Sequence, residues 1–440
     1  MLEKYVIVLY YSKTMQNLIL LTFLSTYLLF VLLPSRRTVI SLFSALIFLF
    51  LCWIGYRQFI FYGINWDVIN IFIGTLLVSN LIVESGVAEY IAEKIILKTK
   101  SVKWSLLWLC IICGILSIFL ENVSAVLIIA PVALQIAKKL NINPTKIIFA
   151  LAISSNLQGT ATLIGDPPSM ILASATKMNF LDFFIYKSKP SIFFAVELGA
   201  ITSFFVLLYI FSDYKFKIPD FEIQAKVKSW LPLYILILMI TSLIIISILK
   251  IYSGDKFLSQ AGIICLLFGG LALLVKKFIL KTSIIEGIKL IDWETTVFLI
   301  CIFMIIEGLE IAGWIEKFGN FLVSIVGKNI FIIYTLFVFS AVVVSGFVDN
   351  VPFFATMIPI AKIVSYHTGV SLTLLLFGLL IGCTLGGNIT PIGASANIVA
   401  WGILKKEGYK TTFLNFVKIG LPFTFAAVIP TYLFIWILWK

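Results

Sequence analysis

Glu121-Asn122-Val123 stands in apolar sequence, followed by Gly159-Thr160-Ala161-Thr162-Leu163-Ile164-Gly165-Asp166-Pro167-Pro168. Further on, Asp349-Asn350-Val351 is followed by Gly387-Asn388-Ile389-Thr390-Pro391-Ile392-Gly393-Ala394-Ser395-Ala396-Asn397. Each pair sets an acid–amide step upstream of a Gly/Thr/Pro-rich break. Polar and helix-breaking residues are costly at membrane depth, so where they occur they line a site. A single Gly/Pro break is often only a kink. Two at one offset, each behind an acid–Asn pair, predict a transporter built from two repeats.

The surrounding sequence supports a membrane setting. Apolar residues make up 61% of the 440 and charged residues 12%, where a soluble domain carries about 25% charge. Mean hydropathy is +1.10. Runs of roughly 20 apolar residues recur along the chain. Full spans are expected near 17–34, 38–55, 64–82, 146–178, 190–211, 230–250, 258–275, 294–312, 370–403 and 413–437. Segments 104–140 and 329–364 each carry their acid–amide pair midway with no basic loop there. This favours re-entrant hairpins over the rival reading, two complete short spans. The first apolar run leads into Pro34-Ser35-Arg36-Arg37 without a small-residue cleavage site, so it reads as a retained span.

A net charge of +12 does not point to nucleic acid, because the Lys residues lie in short loops between spans and set topology. On the expected map, one side collects 20 Lys and Arg, Arg36 and Arg37 among them, against 12 on the other. That side is expected to be cytoplasmic, with both termini outside. Segment 87–100 is amphipathic and is expected to lie flat at the cytoplasmic interface. Cys110 and Cys113 form a C-x-x-C, but no second Cys or His pair accompanies them. They read as buried hydrophobes rather than a redox or metal pair.

The repeat shows as matched residues. Trp66 and Trp293, and Gly86 and Gly313, lie 227 apart. Asn122 and Asn350, Pro131 and Pro359, Gly159 and Gly387, Thr162 and Thr390, and Gly165 and Gly393 lie 228 apart. The expected fold is all-α and polytopic, with two repeats of five transmembrane helices plus one re-entrant hairpin each. Broken helices meet at the midplane, and an odd span count inverts the second repeat. Residues 1–211 form the first repeat (hairpin 104–140, broken helix 146–178) and 212–229 a cytoplasmic linker. Residues 230–440 form the second repeat (hairpin 329–364, broken helix 370–403).

Hairpin tips and breaks expose helix-end carbonyls and amides. Gly159 and Gly165 permit positive φ and close approach, and the Pro after it pushes Asp166 toward extended geometry. Carboxylates, hydroxyls and freed carbonyls suit a hard cation or a carboxylate that carries a proton. Free helix N-termini suit an anion. The first candidate site comprises Glu121, Asn122, Val123, Ser124, Asn156, Gly159, Thr160, Thr162, Gly165 and Asp166. The second comprises Asp349, Asn350, Val351, Gly387, Asn388, Thr390, Gly393, Ser395 and Asn397. Sodium fits either. The halves differ: Asp166-Pro167-Pro168 faces Ala394-Ser395-Ala396, which makes the Asp166 side the stronger expected cation or proton site. Glu84, Glu307, Glu310 and Lys418, in or near spans, read as packing or snorkelling residues. Asp67 and Glu294, each after a matched Trp, read as interface anchors.

These motifs resemble the ion-transporter superfamily, in its citrate-transporter-like branch. That branch holds the arsenite permeases, the NhaD sodium/proton antiporters and the P-protein group; the divalent anion:sodium symporters are more distant. The likeness runs from about residue 35 to 437. It implies a homodimer in a lipid bilayer, in a prokaryotic inner or plasma membrane, with an elevator-type transport domain carried by a scaffold. Sodium and substrate would sit at the tips and breaks. The related dicarboxylate carriers have Ser-Asn-Thr at both tips, where this chain has Glu-Asn-Val and Asp-Asn-Val. The added negative charge opposes a carboxylate substrate unless cations neutralise it.

The expected function is secondary active ion transport, sodium- or proton-coupled, with a small ion or anion as substrate and no organic cofactor. A sodium-coupled di- or tricarboxylate symporter is the alternative within transport. An ion channel and a membrane thiol enzyme are the alternatives outside it.

Overall fold

Gly, Pro and Asn punctuate the apolar sequence, and the helices stop where they fall. The computed structural model describes residues 12–52, 63–217, 223–249, 259–278, 283–289 and 291–440. Lys4, Lys281, the span ends 53–55, 250 and 258, and linker residues 218–222 lie outside that range. The helices are α1 (Lys13–Leu32), α2 (Arg37–Leu51), α3 (Trp66–Ser85), α4 (Val87–Ile96), α5 (Val102–Ser117) and α6 (Asn122–Leu140). Then come α7 (Thr145–Gly159), α8 (Pro167–Thr176), α9 (Ile192–Ile210), α10 (Leu231–Leu249), α11 (Gln260–Phe278), α12 (Ile284–Lys289) and α13 (Trp293–Ile311). The series ends with α14 (Trp314–Val326), α15 (Ile330–Ser345), α16 (Asn350–Thr368), α17 (Leu372–Gly386), α18 (Ser395–Lys406) and α19 (Phe413–Trp439). A two-stranded antiparallel ribbon, β1 (Ile185–Tyr186) and β2 (Lys189–Pro190), lies between α8 and α9.

Among the described residues, eight helices are long and apolar enough to cross a membrane, or nine if α13 and α14 count as one bent span. The protein is therefore a multi-pass membrane protein. The two segments expected as broken helices, 146–178 and 370–403, each comprise two helices. The first is α7, a seven-residue break and α8; the second is α17, a break and α18. Segments 104–140 and 329–364 are each a helix pair. Their first limbs, α5 and α15, have 16 residues, while α6 and α16 have 19, long enough to span about 28 Å at 1.5 Å per residue.

Local chemistry sets the corners. Gly86 (φ 71°) caps α3 and leads into α4, and Gly313 (φ 74°), just past the α13 cap Ala312, leads into α14; both take the left-handed conformation that glycine adopts without a Cβ penalty. The axis bends by 72° between α13 and α14. The amphipathic reading of 87–100 corresponds to α4. Its counterpart α14 was not anticipated, although Gly313 sits at the matching offset.

The helices group by their contacts into two bundles, labelled outer and inner. The outer one packs α3 on α11 and α2 on α1 and α13. Glycine lets α3 and α11 approach closely: a Cβ on Gly74 would lie 2.2 Å from the Cys265 backbone. An inner bundle packs α5, α6, α9 and α18 around α7, and α15, α16 and α19 around α17. α7 and α17 are apolar and buried nearly all round, as expected of helices that face protein rather than lipid. The half-helices after the breaks are exchanged. α8, from the first half of the chain, packs on α16 and α17, and α18, from the second, packs on α6 and α7. That exchange brings both breaks together.

Asp67 corrects one expectation. It is buried, and its carboxylate accepts from the Ser259 amide at 3.0 Å, so it stitches α3 to the start of α11 rather than anchoring an interface.

Candidate functional site

The carboxylates at the two tips are held by the helices they start. Glu121 caps α6, accepting from the Ser124 amide at 3.1 Å, and Asp349 caps α16, accepting from the Val351 amide at 3.1 Å. Asp166 precedes Pro167 and Pro168 and takes the extended backbone that a following proline imposes, φ −147° and ψ 142°. Ala394 takes nearly the same geometry at the matching position in the second half.

The two breaks fold against their hairpins in parallel ways. The Thr162 hydroxyl donates to the Ile118 carbonyl at 2.5 Å, and the Thr390 hydroxyl donates to the Gly346 carbonyl. A Cβ on Gly165 would lie 2.4 Å from the Gly159 carbonyl oxygen and 2.8 Å from that of Ser117. On Gly393 it would lie 2.5 Å from the Gly387 carbonyl oxygen and 2.7 Å from that of Ser345. All these partners are 228 apart. Gly159 and Gly165 do not have positive φ; close approach alone requires glycine there.

An amide hub joins the halves. Asn156 Nδ2 donates to Asn388 Oδ1 at 2.9 Å and to Asn397 Oδ1 at 2.8 Å. Its Oδ1 accepts from Asn122 Nδ2 at 3.4 Å. Asn122 Oδ1 accepts from the Ser117 hydroxyl at 2.6 Å, and Asn397 Nδ2 donates to the Gly387 and Thr390 carbonyls, both at 2.9 Å. Every member is buried and bonded, the condition under which a polar network rigidifies a core.

One cavity opens beside this hub. From the first candidate set it is lined by Glu121, Asn122, Asn156 and Asp166, and from the second by Asp349, Asn350, Val351 and Ser395. The two sets thus share one space. Asn350 Nδ2 reaches Asp166 Oδ2 across it at 3.5 Å. Val123, Ser124, Gly159, Thr160, Thr162, Gly165, Gly387, Asn388, Thr390, Gly393 and Asn397 lie behind the wall, where several of them shape the tips and breaks. The cavity offers about 20 Å³ to the centre of a water molecule. One water or bare ion needs roughly 10–15 Å³ on that measure.

Sequence reasoning missed Arg37. Its place at the head of an apolar run groups it with the topology-setting charges, but its guanidinium lines the cavity and pairs with Asp349. Thr295 and Phe298 of α13 complete that wall. The only sequence signal was an Arg at the first position of an apolar helix, which does not distinguish an interfacial charge from a buried one. Lys276, likewise counted as a loop charge, is buried and pairs with Glu84 at 2.5 Å. With Glu121, Asp166 and Asp349 against Arg37, the lining has an excess of formal negative charge. Among the described residues, no three His, Cys, Asp or Glu side chains are grouped to hold a metal ion. An ion here would draw on amide and backbone oxygens as well. Cys110 and Cys113 are buried free thiols in α5, away from this lining.

The family model described as "Citrate transporter" matches residues 27–277 and 261–440. An uncharacterized transporter of Mycobacterium tuberculosis is 28% identical over 386 residues, covering 85% of this chain and 86% of the relative. The "46 kDa membrane protein" of Mycobacterium leprae is equally similar, at 28%, covering 85% of this chain and 87% of its own. The human P protein is 25% identical, covering 84% of this chain and 53% of the relative. Among solved structures, the Alcanivorax borkumensis YdaH transporter superposes with a TM-score of 0.56 at 11% identity, over 84% of each chain. The Neisseria gonorrhoeae MtrF structure gives 0.55 at 12% identity, over 92% of this chain and 85% of that one.

Proposed function

Because the chain belongs to the citrate transporter family, we propose that it is a secondary active ion transporter in which sodium or a proton binds at the cavity between the two hairpin tips. The observation that carries this reading is the lining itself. Glu121, Asp166 and Asp349 are among the residues lining a space that admits one water or small ion, with Arg37 as the guanidinium in the wall. Excess buried negative charge calls for a mobile cation. Alternating access would proceed by movement of the inner bundle against the outer one, in an elevator manner and within a homodimer. The two halves would be inverted repeats, a reading supported by the exchange of α8 and α18 and by the matched Gly and Thr contacts.

Arg37 favours one second reading, a sodium-coupled carboxylate symporter, since a guanidinium can receive a carboxylate. Proteoliposomes with internal pH and membrane potential read out separate the two. Under exchange, a sodium gradient alone changes internal pH. Under symport, citrate or succinate enters only with sodium and the pH stays unchanged. Absence of any sodium- or proton-dependent flux overturns both. Asp166→Asn removes one carboxylate and keeps its shape. It is expected to remain in the membrane and to lose pH-dependent transport; wild-type-like pH dependence would sink the role assigned to Asp166.

A further inference from the structure

Arg37 begins α2 in the outer bundle, and its guanidinium is held on three sides. Nη1 pairs with Asp349 Oδ2. Nη2 lies 3.4 Å from the Thr295 hydroxyl, which itself donates to Asp292 Oδ2 at 2.6 Å. The guanidinium carbon sits 5.1 Å from the centroid of the Phe298 ring, within reach of a cation–π contact. Thr295 and Phe298 both belong to α13, which packs on α2. Arg37 therefore keeps two of its three holds whether or not Asp349 is present. Asp349 starts α16 of the inner bundle. Side-chain exposures of 17% for Arg37 and 11% for Asp349 make this a largely desolvated pair rather than a surface one.

From this geometry we infer that Arg37 is a tethered counter-cation. It neutralises Asp349 in the unloaded protein, and a monovalent cation or proton must displace it before the inner bundle moves. The inference rests on the cation-coupled reading above. Its physical basis is that the tether stays behind. If the inner bundle moved without a mobile cation, Asp349 would leave its partner and move as a buried, unpaired charge, which is strongly opposed. Once a cation occupies Asp349, the carboxylate is neutralised and Arg37 relaxes onto Thr295 and Phe298. The same pair sets affinity, because any cation must compete with a guanidinium for one carboxylate. A neutral residue at position 37 removes the competitor and leaves Asp349 in need of a charge. Cation affinity then rises and empty movement becomes less strongly opposed.

The test compares wild type, R37Q, R37K, D349N and R37Q/D349N in proteoliposomes, with sodium and pH varied separately. Sodium-dependent thermal stabilisation in detergent serves as the binding readout. R37Q is expected to lower the half-saturating cation concentration about tenfold, equal to about 1.4 kcal/mol, and to leak cation without exchange. R37K is expected to fall between R37Q and wild type, because lysine keeps the charge but loses the fork and the stacking. Adding R37Q to D349N is expected to change cation binding no further, since the two residues act through one contact. An unchanged half-saturating concentration in R37Q, beside a cation-dependent wild type, overturns the tether alone. No cation dependence in wild type overturns the transport reading and the tether with it. Loss of citrate saturation in R37Q at unchanged cation affinity makes Arg37 an anion anchor and also overturns the tether. Should R37Q fail to reach the membrane, R37K decides, and equal sodium stabilisation of R37K and wild type rejects the proposal.

Discussion

Gly159 shows how tightly the tip and the break are fitted. A Cβ there would stand 2.0 Å from Asn122 Oδ1, and Asn122 is bonded to both Ser117 and Asn156. Gly159→Ala must displace an amide of the hub, so it is expected to lower stability by about 2 kcal/mol or more and to abolish transport. Gly402, on α18, has nothing within 4 Å of its would-be Cβ. Gly402→Ala is expected to be neutral or to stabilise by up to about 1 kcal/mol through helix propensity. Melting midpoints of the two variants check the contrast, and similar shifts for both would contradict the close-packing account. The identity of Gly159 was legible in the sequence as one of a matched pair. Its reason was only half legible: positive φ and close approach were both open, and only the second applies.

At the scale of elements, the described stretches of the linker, 212–217 and 223–229, are tied down by hydrogen bonds. Buried Glu93 of α4 accepts from the Gln224 and Ala225 amides at 2.9 and 2.8 Å. The Lys228 amide donates to the Ser85 carbonyl at 2.9 Å, and the Val102 and Lys103 amides donate to Phe216 and Tyr214 carbonyls at 3.0 and 2.9 Å. Residues 214–216 are thus strapped to the start of α5, and residues 224–228 to α4 and the end of α3. Glu93→Ala removes two charge-assisted bonds. It is expected to raise amide exchange at residues 224–228 by tenfold or more, corresponding to about 1.4 kcal/mol of local opening. Unchanged exchange in that segment would show the strap to be held elsewhere. Polarity marked 212–229 as a linker in the sequence. Its docking did not show, because backbone amides meeting one distant carboxylate leave no local pattern.

At the scale of the molecule, the outer and inner bundles meet beside the cavity. The Tyr27 hydroxyl of α1 donates to the Pro352 carbonyl at 2.9 Å and lies 2.8 Å from the Thr356 hydroxyl of α16. With Arg37–Asp349 this gives three polar contacts across the seam. If transport moves one bundle against the other, Tyr27→Cys with Thr356→Cys, in a background lacking the native cysteines, should lose transport when bridged by a short thiol-reactive cross-linker. Transport should persist without the cross-linker. Full transport in the bridged protein would rule out sliding at this seam.

The sequence by itself determined the membrane class, most of the helices, both breaks and the acid–amide tips. These follow from hydropathy and from the local chemistry of Gly, Pro and Asn, which act on their own backbone. Only the tertiary structure decided that the two breaks share one cavity, that Asn156 binds them together and that Arg37 belongs to the wall. Those facts come from the exchange of α8 and α18 and from the packing of α2 on α13. They are contacts between residues hundreds of positions apart, and periodicity and composition carry no record of such distances.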